Sequence, residues 1–417
     1  MKQPVRLGAG KFLRQVPFLL LLLSGAARAE PFAPANDGVV LEHLPDGADP
    51  AARALRARHR ALEADPHNLA LALDVARADL GRGRALGDPR FLGRAEAALA
   101  AWPPNDRAPP DVTLLRAVIL QSNHDFPGAL KALAQVLQAR PGDTQAWLTR
   151  ASIHQVQAEY PAALADCGQF AIRIAGLAAD ICSASVMSLT GHAPLALRAV
   201  SLSLDANKAE AARAPPVALW GLTLAAETAD RLGDPSAEAW FGRAMALDPA
   251  DPYLLGAWSD WLLDHKRPRE VITLLAGRTR IDPLLLRLAL AEQAVGDPAC
   301  AGHIADLAAR FEASRLRGDT VHRREEARFA LFLQHDPARA LALARANWEV
   351  QREPADARIL VEAGDALPVL RWMRASGVQD RRLEALGAKG KQSFFEKKDQ
   401  KTFVCLVLGC LDRYAKL

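Results

Sequence analysis

Asp125-Phe126-Pro127-Gly128-Ala129-Leu130 returns as Glu159-Tyr160-Pro161-Ala162-Ala163-Leu164, and Phe126 and Tyr160 stand 34 positions apart. The same step links Ala95 to Ala129, Leu99 to Leu133 and Ala117 to Ala151. Further along, Ala237 leads to Val271, and Pro249 to Pro283. A fixed step of this length marks a helix-turn-helix unit whose apolar face is buried only by stacking on copies of itself. Composition agrees, since Ala, Leu and Arg dominate and all three favour helix. Asp65-Pro66, Pro141-Gly142-Asp143, Asp248-Pro249 and Asp282-Pro283 punctuate successive helix pairs. No run of alternating β-branched residues reads as a strand. The expectation is an all-α helix-turn-helix solenoid with almost no sheet.

Trp147, Ala151, Tyr160, Ala163, Cys167 and Phe170 follow one order of large, small and aromatic residues, and Phe126, Ala129, Leu133, Val136 and Pro141 match its second half one unit earlier. Weaker copies run through Ala184, Gly191 and Ala196, then Ala225, Ala237, Phe241, Ala244 and Pro249, then Trp258, Leu262, Val271, Leu275 and Pro283. A degenerate pair surrounds Ala301 and Ala340. In this order the chain resembles the tetratricopeptide repeat family. The resemblance spans residues 49–387 and implies about seven to eight repeats, some degenerate, wound into a right-handed superhelix. It is specific for fold and silent on chemistry, because the family is defined by packing residues. Ala117, Ala151, Ala184 and Ala225 fall where the two helices of a pair cross, and their small side chains admit the close approach.

The two ends depart from this texture. Lys2, Arg6, Lys11 and Arg14 precede the apolar stretch Val16 to Leu23, and Ala27-Arg28-Ala29 reads as a small-residue cleavage site before Glu30. Residues 1–29 therefore read as an export signal and 30–48 as a linker, with an uncleaved anchor as the other reading of the same stretch. The apolar stretch is short of the roughly 20 residues that span a bilayer, so no stable membrane insertion is expected after cleavage. The expected location is periplasmic or secreted. Residues 388–417 prefer Lys where the rest of the chain prefers Arg, and Gln392-Ser393-Phe394-Phe395-Glu396-Lys397-Lys398 fits no repeat position. This tail is either a frame-shifted or inserted reading or an amphipathic capping helix from Phe403 to Leu417. The net charge of +4 comes from these ends, which contribute +5 and +4 and leave −5 on the repeat body. Such a body lacks the basic face that a nucleic-acid partner needs.

Cys167 and Cys182 lie fifteen residues apart on helices expected to be neighbours. They are either bridged, which in the chain-entropy model stabilises by roughly 3 kcal/mol, or two free thiols packed as small core residues. No paired C-x-x-C metal or haem motif occurs, and Cys300 has no evident partner. The ten histidines are scattered, and His124, His192 and His265 read as exposed residues of equivalent turns. Gly81-Arg82-Gly83-Arg84 reads as a solvated loop. Neither a G-x-S-x-G elbow nor a phosphate loop is present. No catalytic residue, metal site or cofactor is assigned, and the chain reads as a non-enzyme.

The resemblance implies that ligands lie along the concave face formed by the first helix of each unit. Carried over, those positions are Leu114, Val118 and Gln121; Gln145, Leu148, Ser152 and Gln155; Ile181, Ser185 and Ser188; Leu222 and Ala226; and Tyr253, Asp260 and Asp264. They lack the Lys/Asn/Arg clamp with which relatives grip a C-terminal carboxylate. Uncharged polar side chains with interspersed Leu and Ile suit an extended or helical protein segment. The leading expectation is thus an exported scaffold or adaptor that binds a protein or peptide partner in its groove. The alternatives are an envelope accessory or metal-handling factor using scattered His and Cys300, and a hydrolase housed in irregular stretches at Arg82–Arg107 or Gly302–Arg324.

Overall fold

The computed structural model describes residues 49–386 apart from Asp106, together with Asn36. The export signal, almost all of the linker, and the tail from Ala388 lie outside the described residues. The chain divides into two compact units, Met1–Arg53 and Ala54–Leu417, and the account below concerns the second.

The described residues form a tetratricopeptide-like solenoid of stacked helical hairpins, with no strand among them. After α1 (Pro50–Ala64) come the pairs α2 (Leu69–Leu86) with α3 (Arg90–Ala98), and α4 (Pro110–Ser122) with α5 (Phe126–Ala139). Next are α6 (Thr144–Val156) with α7 (Tyr160–Arg173), and α8 (Leu177–Met187) with α9 (Ala193–Ala206). A short α10 (Lys208–Arg213) intervenes before α11 (Pro215–Leu232) with α12 (Ala237–Leu247) and α13 (Pro252–Asp264) with α14 (Pro268–Leu275). The last pairs are α15 (Asp282–Val295) with α16 (Cys300–Arg317), α17 (Arg323–Phe332) with α18 (Pro337–Trp348), and α19 (Pro354–Glu362) with α20 (Ala366–Ser376). Nine pairs follow one another, and the sequence pattern is faintest in the last.

Local chemistry sets the boundaries. Asn68, Asp125, Asp143, Asp251 and Asp336 each accept a backbone N–H of the first turn of the following helix. Proline occupies the first turn of α4, α5, α7, α9, α11 and α13, where its missing N–H costs nothing. Every hairpin turn carries one residue in the left-handed region. Five turns use glycine, and the other four use His124, Ala158, Lys266 and His335 at φ of 58°, 63°, 61° and 55°. The crossing alanines Ala117, Ala151 and Ala184 are at most 2 % exposed, and in α11 their place is taken by the fully buried Ala226 instead of the expected Ala225. Phe126, Leu133, Phe241, Phe311 and Phe329 fill the space between neighbouring pairs.

Two loop expectations are corrected. Gly81-Arg82-Gly83-Arg84 lies inside α2, and Gly83 serves close packing rather than a turn, while Gly81 has open space beside it. A Cβ on Gly83 would come within 3.0 Å of the Phe91 Cβ and 3.3 Å of the Asp88 carbonyl. The chain turns only at Gly87, in the left-handed region at φ 59°. Nor are Arg82–Arg107 and Gly302–Arg324 irregular lobes, since α3 occupies the first and most of α16 the second.

In an open solenoid each unit touches only its neighbours, but here the late pairs also pack on early ones. The Trp372 indole N–H donates to the Tyr160 hydroxyl at 3.0 Å, and the Arg352 N–H to the Val156 carbonyl at 2.7 Å. Tyr160, Cys167 and Phe170 share one apolar cluster with Trp348, Val369, Trp372 and Leu383. Gly191 and Gly377 meet backbone to backbone, with room for little else.

Candidate binding cleft

A first helix of this solenoid is flanked on two sides by other helices, so only one narrow stripe of it faces the groove. That stripe decides which expected residues reach a ligand. Gln121 of α4, Gln145, Leu148, Ser152 and Gln155 of α6, Ser185 of α8 and Tyr253 of α13 line one cleft of about 570 Å³. They are joined there by Thr149, Leu219, Trp220, Thr223, Leu224, Glu227, Asp251 and Glu353.

The other expected positions are corrected. Leu114, Val118, Ile181 and Leu222 are core residues at 8 %, 5 %, 0 % and 6 % exposure, and Ala226 is fully buried. Each sits on the side of its helix that meets a neighbouring pair rather than the groove. Ser188 is also buried, donating to the Ser185 carbonyl at 2.8 Å and accepting from Arg231 at 3.0 Å. Asp260 does not line the cleft and is held by Arg287 at 2.6 Å and Arg328 at 2.8 Å. Burial opposes its ionisation, yet these two guanidinium groups prevail and hold its carboxyl well below the usual range. Asp264 is likewise paired with Arg358 at 2.7 Å and with Arg382.

At the α4–α6–α8 end, amides and hydroxyls pair across successive units. Gln121 Nε2 donates to Ser152 Oγ at 3.0 Å, and Ser185 Oγ donates to Gln155 Oε1 at 2.7 Å. Within α6, Gln145 Nε2 donates to Thr149 Oγ1 at 3.1 Å. The bonded pair Cys167–Cys182 forms part of the wall, with its Cα atoms 5.6 Å apart.

The α11–α13 end is acidic. The Tyr253 hydroxyl donates to Glu227 Oε1 at 2.9 Å, while 63 % of the Tyr253 surface stays open to solvent. The Glu227 charge, with burial, pushes the Tyr253 hydroxyl well above its ordinary pKa. Burial raises both Glu227 and Glu353, opposed chiefly by Arg231 at Glu227 and by Arg324 at Glu353, where the Glu227 charge adds to the rise. Arg324 is shared among Glu325 at 3.2 Å, Asp356 at 3.4 Å and Glu353 at 3.5 Å. Asp356 is pushed up to about 7, by burial first and by Glu353, against the pull of Arg324.

Sequence reasoning missed Trp220, Thr223 and Glu227. Their spacing repeats that of Gln145, Leu148 and Ser152, so Ala226 rather than Ala225 is the counterpart of Ala151. The inserted α10 breaks the 34-residue step, and the frame carried past it slipped by one position. His124 also differs from expectation. It is half-buried and stacked on Phe126 at 5.4 Å, and burial, with Arg324 and His322, pushes it down to about 4. His192 and His265 are exposed at their turns. Among the described residues no three His, Cys, Asp or Glu side chains stand together in a metal-holding group, and no helix is long and apolar enough to cross a membrane.

No family model and no curated protein matches the sequence. Among solved structures, the chain is similar to a tetratricopeptide repeat protein from Parabacteroides merdae at 14 % identity and a TM-score of 0.30, covering 70 % of this chain and 97 % of that one. It is similar to the human IFIT1 dimer with m7Gppp-AAAA at 14 % identity and a TM-score of 0.42, covering 84 % and 86 %. It is also similar to yeast Tom70 at 12 % identity and a TM-score of 0.38, with the same coverage of each chain.

Proposed function

We propose that this chain is an exported, non-catalytic scaffold that takes a segment of a partner polypeptide into the cleft. The observation that carries this reading is the convergence of seven expected groove residues, from α4, α6, α8 and α13, on one concave site. Its volume lies in the range of about 300–1,000 Å³ that holds a small ligand or a few residues of chain. The amides and hydroxyls offer donors and acceptors to an extended backbone, and Leu148, Leu219 and Trp220 offer apolar contact. The Cys167–Cys182 bond supports export, because disulfides persist in oxidising compartments. So does the leader-like start of the sequence.

Affinity capture from an envelope extract tests the reading, comparing the native chain with a Gln145→Glu, Gln155→Glu variant of unchanged helicity. The variant should lose a polypeptide that the native chain retains. Equal recovery by both would place the contact surface elsewhere. Edman sequencing of the exported protein should begin at Glu30, and a start at Met1 in a membrane-bound chain would contradict export.

A further inference from the structure

We infer that the cleft recognises a basic side chain on its partner, with Glu227 and Glu353 as the receiving carboxylates. This rests on the cleft being the partner site, and adds what kind of partner fits it.

The charge count of the lining is one-sided. Glu227, Asp251 and Glu353 contribute three carboxylates, and Arg84 is the one cation. These acids are not equally satisfied. Asp251 Oδ1 accepts the Leu254 N–H at 2.8 Å and so caps α13. Glu353 has the longest of the three contacts to the shared Arg324, at 3.5 Å. Glu227 has the neutral Tyr253 hydroxyl as a hydrogen-bond partner and no ion-pair partner among the described residues. Arg231 and Arg324 act on Glu227 without touching it, and Arg324 reaches Glu353 only at 3.5 Å, so an incoming guanidinium or ammonium group in direct contact would satisfy both carboxylates better.

A second observation points the same way without any charge. Thr223 lies one helical turn before Glu227 on the same stripe of α11 and is only 5 % exposed. It lines the cleft, and its hydroxyl has no hydrogen-bond partner among the described residues. Its oxygen is not sealed in the core but opens on the cleft, where it can meet a donor from a partner. Thr223 and Glu227 together offer an acceptor pair to a donor-rich side chain. Trp220, Leu219 and Leu224 beside them would pack on its methylene stem. The neutral amide end of the cleft then holds the flanking backbone. The occupant that meets all of these demands is an extended polypeptide segment with Lys or Arg at one position.

The test uses pools of short peptides, randomised over Ala, Leu, Ser and Gln, with one central position fixed as Lys, Arg, norleucine or Glu. Each pool is titrated against the full purified chain by fluorescence anisotropy. The Lys and Arg pools should bind about tenfold more tightly than the norleucine pool, and the Glu pool should bind most weakly. The advantage should shrink at high salt. In a Glu227→Gln, Glu353→Gln variant whose far-UV circular dichroism and melting temperature match the native chain, the ratio of Lys-pool to norleucine-pool affinity should fall to about one. Equal binding of Lys and norleucine pools would overturn this inference and leave the cleft as a partner site. Binding by no pool would overturn both. A basic preference that survives in the double variant, or spermidine binding as tightly as the Lys pool, would also overturn it.

Discussion

The pairs α4/α5 and α17–α20 share one hairpin design and are held in place differently. Around α4/α5 most core contacts are apolar and local: Phe126, Ala129, Leu133 and Val136 pack with Leu114, Ala117, Ala146 and Ile153 of the same and the next pair, with Val350 a distant addition. The late pairs add polar contacts across the groove. Arg328 reaches Asp260 over 68 residues of sequence, and Arg358 reaches Asp264 over 94. Arg382 bridges Asp264 and Asp230, and Trp372 reaches Tyr160 over 212. Local apolar contacts follow from the repeat itself. Cross-groove contacts convert an extended array into a cleft with a floor and walls.

The comparison predicts unequal damage. Trp372→Ala removes a buried indole and its hydrogen bond to Tyr160, and should cost about 3–5 kcal/mol. Hydrogen exchange should rise in α19 and α20 and stay unchanged in α4 and α5. Uniform loss of protection would dissolve the distinction. Asp260→Ala leaves Arg287 and Arg328 without their counter-charge and should cost about 2–3 kcal/mol in chemical denaturation. A cost near zero would mean that the bridge is not formed in solution.

A pH titration sharpens the same contrast. The folded-state pKa of Asp356 lies near 7, above its ordinary 3.8, so the folded protein holds the proton more tightly than the unfolded chain does. Its contribution is fully present below about 4 and is lost as pH rises towards 7. An Asp356→Asn variant should therefore gain stability relative to the native chain across that window, and a flat difference would refute the shift. The smallest effect belongs to the turns. Lys266→Gly relieves a left-handed lysine at φ 61° and should stabilise by up to about 1 kcal/mol.

What the sequence discloses follows from the same division. The 34-residue step, the crossing alanines and the capping aspartates are local, so they are legible in one chain read from left to right. Five consecutive groove residues, Gln121, Gln145, Leu148, Ser152 and Gln155, fall on the cleft because α4 to α7 keep the step without interruption. Past α10 the frame slips, and Leu222 and Ala226 stand in for Trp220, Thr223 and Glu227. Nothing near Asp260 and Asp264 in the sequence announces Arg328, Arg358 or Arg382, the partners that hold them away from the cleft lining. Contacts between residues far apart in sequence leave no periodic trace. Gly83 misleads for a related reason: glycine marks both turns and close helix contacts, and only the position of Phe91 separates the two.

Whether the late pairs truly seat on the early ones is measurable by electron–electron double resonance. Nitroxide labels at Ile172→Cys on α7 and Leu367→Cys on α20 use two exposed positions in a chain carrying Cys405→Ser and Cys410→Ser, while Cys300 is buried and stays unlabelled. A single narrow distance distribution is predicted, because the Tyr160–Trp372 contact fixes α20 on α7. A broad distribution, unchanged by Trp372→Ala, would contradict the cross-groove closure and with it the cleft.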